Sequence, residues 1–141
     1  MATTRAALQA RLEALVVEDA DAGRHLVTTP FDVKSQPNVV LDGSVRVTTT
    51  QRQATGRFGM TEDVVDEFTI WIARTHRADA HAAYLALETE MQSLRAAVIR
   101  DGCGAGDFAV VDGGIASIEH ASDAPFSVGR LALPINYEVQ L

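Results

Sequence analysis

Only one cysteine, Cys103, stands in the 141 residues, which excludes a disulfide within the chain and fits a reducing cytoplasm. No apolar run approaches the roughly 20 residues that a membrane-spanning helix needs. The opening MATTRAALQA lacks the apolar centre of a signal peptide and reads as the start of a helix. Aromatic residues make up only 6%, so the expected core is aliphatic, built from Val, Leu, Ile and Ala. Positive charge is also short. Twelve Lys and Arg against 19 Asp and Glu leave a formal net charge of −7, which argues against tight binding of phosphates through bulk charge. One stretch reverses the balance: between Asp42 and Glu62 there is no acid, while Arg46, Arg52 and Arg57 supply three positive charges. It reads either as a solvated strand face with a basic loop or as a local contact for an anionic partner.

What is present points to one domain with a core of its own, since 47% of the residues are hydrophobic and 22% charged. Thr3 or Thr4 can cap a first helix over Arg5–Asp19, with Leu8, Leu12, Leu15 and Val16 at helical spacing and Gly23 closing the segment. Arg24–Gly43, broken by Pro30 and Pro37, reads as irregular with at most a short strand at Val39–Leu41. Ser44–Gln53 reads as a strand, with Val45, Val47, Thr49 and Gln51 on one face and Arg46, Thr48, Thr50 and Arg52 on the other. Its partner is Val64–Arg74. The ten residues between, ATGRFGMTED, exceed a usual hairpin loop and imply a projecting arm that carries Phe58 and Met60.

Tyr84, Leu87, Met91, Leu94 and Val98 step by three and four, predicting a long helix that starts at Thr75 or Asp79 and ends at Gly102. Short strands at Phe108–Val111 and Ile115–His120 flank a turn at Asp112–Gly114. The chain then closes on GRLALPINYEVQL, where Leu131, Leu133, Ile135, Tyr137, Val139 and Leu141 alternate with polar or small residues. Pro134 cannot donate a ladder hydrogen bond, so that strand is expected at a sheet edge or beside a bulge. An edge there either invites another chain or stays without a partner. The order predicts an α+β domain over residues 1–141: an antiparallel or mixed sheet with a long hairpin, packed against one long and one N-terminal helix.

No catalytic or metal constellation emerges. His76 and His81 are five apart and do not share a helix face, and His25 and His120 stand alone. The alternate glycines of DGCGAGD follow a helix rather than precede one, the wrong polarity for a phosphate cradle, so the stretch reads as a flexible turn. Asp101 and Asp107 beside Cys103 discourage a thiolate. Asp101, Asp107 and Asp112 do not fit a calcium loop, and Glu62, Asp63, Asp66 and Glu67 read as a solvated acidic run.

The helix TRAALQARLEAL, the strand VVDEFTIWIARTHR running straight into ADAHAAYLALETEMQSLRAAVIRDG, and the closing GRLALPINYEVQL together resemble the tail terminator (tail completion) proteins of long-tailed bacteriophages. The resemblance spans about Arg5 to Leu141 and rests on element order, without a signature motif. It implies a structural virion protein, assembled in the host cytoplasm, forming a homo-oligomeric ring, a hexamer in most of the family. That ring caps the tail tube and presents a surface to the head connector and neck proteins. DNA passes through an acidic lumen without specific binding. No catalytic residue, cofactor, metal or membrane contact is implied, and the chain is expected not to be an enzyme. Arg46, Arg52, Arg57, Phe58, Met60 and Pro134 are the expected contacts with a neighbouring subunit or the tube. A head-closure or tube subunit is the alternative within the same particle. From other classes, the alternatives are a dimeric binding module and a small cytosolic enzyme using His120, Asp107 or Cys103.

Overall fold

The computed structural model describes residues 4–27, 42–75, 80–105, 108–110, 115–120 and 126–140. Helix α1 covers Arg5–Val16. The Thr4 Oγ1 accepts from the Ala7 amide at 3.1 Å, satisfying one of the free amides of the first turn. Leu8, Leu12 and Val16, four residues apart, bury one stripe completely or nearly so. The helix stops at Val17, and Gly23, with φ of 64°, closes instead the short 3₁₀ turn Ala20–Ala22. Strand β1 is His25–Leu26, inside the stretch read as irregular, and the strand expected at Val39–Leu41 lies outside the described residues.

Strands β2 (Ser44–Phe58) and β3 (Thr61–Thr75) form one long hairpin. Helix α2 runs over Ala80–Ala105, about 39 Å at ~1.5 Å per residue. It continues three residues past Gly102, because a glycine inside a helix costs only about 1 kcal/mol relative to alanine and does not by itself end the ladder. The turn read in DGCGAGD therefore gives way to helix through Ala105. Strands β4 (Phe108–Val110), β5 (Ile115–His120) and β6 (Phe126–Gln140) complete the chain, while the turn expected at Asp112–Gly114 lies outside the described residues.

The six strands form one mixed sheet in the order β1-β2-β3-β6-β4, with β5 also on β6. Among the described strands only β1 and β2 run parallel. β6 pairs along its whole length with β3, from Thr61↔Gln140 to Thr75↔Phe126. Its other side carries β5 opposite 127–132 and β4 opposite 135–137. The closing strand is thus interior, contrary to the edge position expected from Pro134. On the β4/β5 side no described strand residue stands opposite Leu133 or Pro134, so Pro134 interrupts no described ladder there.

Both helices pack on one face of the sheet. Leu8, Leu12 and Val16 from α1, and Leu87, Met91, Leu94 and Val98 from α2, close over Val45, Val47, Val64, Phe68, Ile70, Ile72, Leu131, Leu133, Ile135 and Tyr137. Among the described residues the core is aliphatic apart from Phe68, Phe108 and Tyr137. Gly129 sets how close α2 sits to β6: a Cβ there would fall 2.9 Å from the Met91 sulfur and 3.2 Å from a Leu87 methyl. Tyr84, placed in the buried stripe by its spacing, is 37% exposed, so the stripe begins one turn later at Leu87.

Candidate functional site

The hairpin expected to carry contacts is more ordered than its ten-residue connection suggested. Pairing continues to Phe58↔Thr61, and only Gly59 and Met60 form the turn, Gly59 with φ of 60°. Strand β2 absorbs the extra residues in two bulges, between Thr49 and Gln51 and between Ala54 and Gly56. Each bulge changes the alternation, and this corrects the face assignment. Thr49 pairs with Phe68 on the helix-covered face, whereas Gln51 pairs with Glu67 on the opposite face. Arg52 then stands in register with Asp66 and Arg57 with Glu62, both on the helix-covered side, while Arg46 pairs with Trp71 on the outer side. The three arginines therefore do not share one face. Arg52, Arg57 and Phe58 are placed by backbone register alone.

The arm projects little. Val64 and Tyr137 form the last buried row, and Met60 lies four residues beyond it, roughly 13 Å at ~3.3 Å per residue. Met60 is 67% exposed, an apolar side chain at a tip where folding has no use for it.

Among the described residues the outer edge of β2 is covered at one end only. The His25 amide donates to Gly43 O and the Val27 amide to Val45 O, each at 2.9 Å. The Gln9 side chain from α1 donates to Val47 O at 3.2 Å, and its carbonyl accepts from Thr49 Oγ1 at 3.3 Å. Beyond Thr49 no described strand pairs with this edge. The structure brings Arg52, Arg57, Phe58 and Met60 to the open part of the hairpin; Arg46 lies beside the finished part, and Pro134 is apart from them on β6.

Two ionic clusters lock the sheet to the helices, and neither stands out in the sequence. Asp66, read as part of a solvated acidic run, is fully buried. Arg5 Nε reaches its carboxylate at 2.9 Å, and the Tyr137 hydroxyl donates to it at 2.5 Å. Burial, and then the hydrogen bond to Asp66, push the Tyr137 phenol up to about 12. At the other end of the hairpin Glu90 on α2 accepts from Arg74 at 2.9 and 2.5 Å and from Arg24 at 2.8 Å. Burial alone would raise the Glu90 carboxyl, but the two guanidiniums outweigh it and hold it below its ordinary value. The same arginines bind the backbone, Arg24 at Val16 O and Arg74 at Ala22 O. Arg74 also reaches Asp42, which accepts from the Thr75 amide at 2.8 Å.

A third tie joins Arg11 to Asp101 at 2.8 Å, with the guanidinium over the Phe108 ring at 5.2 Å. Asp101 is therefore ion-paired with Arg11. The side chains of Cys103 and His120 and all of Asp107 lie outside the described residues, and so does His76. His25 lies at 3.3 Å from the Ser44 hydroxyl. Among the described residues no three His, Cys, Asp or Glu side chains gather as metal ligands.

On the outer face Arg130 lies over the Trp71 ring at 5.5 Å, and Trp71 donates to Thr48 at 3.2 Å. Thr69 Oγ1, Arg130 Nε and Asn136 Oδ1 on this face are buried without a hydrogen-bond partner. A cleft of about 300 Å³ opens between α1 and α2, lined by apolar Leu15, Leu94 and Ala97 and by Glu18, Asp19, Arg24 and Arg100. Its charges balance, and Arg24 is already committed to Glu90, so the cleft offers no concentrated charge to a ligand. No protein-family model and no curated protein matches the chain.

Proposed function

We propose that the chain is a structural assembly protein of the tail terminator type, a protomer of a homo-oligomeric ring that caps a tail tube and joins it to the head connector. The observation that carries the reading is the hairpin, whose β2 edge has no strand partner beyond Thr49 among the described residues and whose tip exposes Met60. Open edges and exposed apolar tips are the features that copies of a chain or a neighbouring component complete. The α+β architecture and the element order that prompted the resemblance support it as well. A formal charge of −7 suits a ring through which DNA slides without sticking.

The test is electron microscopy of particles assembled without this chain. Overlong tubes without heads are the expected result. Normal tails on leaking heads would move the chain to head closure. Arg57→Glu and Phe58→Ala in the full chain should weaken ring or tube association while the fold persists; unchanged association of both removes the hairpin from the interface.

A further inference from the structure

Met60 and Met91 are the described methionines, and their surroundings are opposite. Met91 is fully buried in the core, its sulfur packed against Gly129. Met60 is 67% exposed in the two-residue turn of the hairpin, beyond the last buried row of Val64 and Tyr137. The space at the tip is open as well, since a Cβ built on the neighbouring Gly59 meets no atom within 4 Å. A thioether is oxidised by peroxide where peroxide can reach it, and the sulfoxide that results is polar and can be reduced again. Access therefore separates the two sulfurs.

We propose that Met60 is a reversible oxidation site that sets how tightly the hairpin tip binds its neighbour: the thioether is an apolar contact, and the sulfoxide is not. The effect on association rests on the homo-oligomer reading above, whereas the selectivity for Met60 rests on its exposure. The step is an oxygen transfer. The Met60 sulfur attacks one oxygen of hydrogen peroxide, the O–O bond breaks, an S–O bond forms and water leaves; sulfur is oxidised by two electrons and peroxide is reduced by two. A dithiol reductase returns two electrons and two protons, releases the oxygen as water and is left as a disulfide. The two states of the chain respond differently. In the free protomer the sulfoxide stays in water, so the fold loses nothing. In the contact its S–O dipole must shed water, a cost that the thioether does not carry. Oxidation at the tip thus weakens association and spares stability. At Met91 the same change would place a polar group in the core, and burial shields that sulfur while the chain is folded.

The test treats the folded full chain with hydrogen peroxide and follows peptide mass, solution mass by sedimentation and denaturant unfolding. The Met60 peptide should gain one oxygen well before the Met91 peptide, which reacts only once the chain is unfolded. Association should weaken about tenfold, the unfolding midpoint should stay in place, and methionine sulfoxide reductase should restore association. Met60→Leu, compared with itself before and after peroxide, should show no change, which separates the tip from oxidation at Cys103. Equal oxidation of Met60 and Met91 in the folded chain overturns the site. An oxidised chain that associates like the untreated one overturns the effect on association and leaves the homo-oligomer reading standing. A Met60→Leu chain that loses association on treatment places the effect elsewhere and overturns it too. A wild-type chain that is monomeric at every concentration before treatment overturns the homo-oligomer reading, and the association effect with it, while the selective oxidation of Met60 is read independently by mass.

Discussion

At the Ser44–Thr75 end, the hairpin is tied both at its edge and to the helices. β1 covers its edge, Gln9 caps the next carbonyl, and Arg74 joins it to Glu90 on α2 and to Asp42. At the Phe58–Thr61 end the same two strands run past the last buried row, with a β2 edge that no described strand covers and an exposed methionine. The difference separates two duties within one element. Stability resides where the helices and the arginine–carboxylate clusters grip the sheet. Under the proposed function, association falls to the part of β2 that nothing in the described chain completes.

The largest effect is expected at the tied end. Glu90→Ala strands Arg24, whose side chain is only 9% exposed, and takes from Arg74 one of its two carboxylates, at a cost of about 3 kcal/mol or more by denaturant unfolding. The pH dependence has a defined sign. Glu90 sits below its ordinary 4.5 in the folded state, so its contribution is present above that value and is lost as the pH falls through the lower folded value. Glu90→Gln should flatten the acid limb of the stability curve.

The second cluster gives a smaller loss. Asp66→Asn should cost about 2 kcal/mol, because the Tyr137 hydroxyl loses a charged acceptor while Arg5, half exposed, can turn to water. Tyr137 tests the same contact from the alkaline side. Its phenol is raised from 10.0 to about 12, so the stability it contributes is complete below pH 10 and lost as the pH rises through about 12. In a Tyr84→Phe background Tyr137 is the sole tyrosine, and its ultraviolet titration should fall near 12, with Asp66→Asn lowering it. At the open end Met60→Ser should change stability by less than about 0.5 kcal/mol while reducing association. A large loss of stability there would break the division between the two ends.

The parts legible in the sequence were those governed by periodicity. Leu8, Leu12 and Val16, the Leu87–Val98 stripe and the alternation of Leu131–Tyr137 each signal one buried face, and the structure buries them together. A threonine cap, Thr3 or Thr4, followed from a hydroxyl before an apolar period, and the structure uses Thr4. Three things were hidden because they depend on partners distant in sequence. The bulges at Thr49/Gln51 and Ala54/Gly56 send Arg52 to the face opposite Arg46, and a stretch of polar residues gives no apolar pattern to reveal the shift. Pro134 suggested an edge or a bulge, whereas β6 is interior, with no described strand residue opposite Pro134 on its β4/β5 side. Asp66 looked like one of four surface acids until the sheet set it beside Tyr137, 71 residues away. The open stretch of β2 was in turn concealed by its composition, since a projecting loop and a bulged strand draw on the same glycines and polar residues.

The claim that β2 is the unfinished element is tested most directly by amide hydrogen exchange over Gln51–Ala54, compared between dilute and concentrated chain. The account predicts fast exchange of the outward amides in the dilute monomer and protection on association, with the Ser44–Val47 end protected throughout. Exchange over Gln51–Ala54 that is equally slow in the dilute monomer, or equally fast in the assembly, would contradict it.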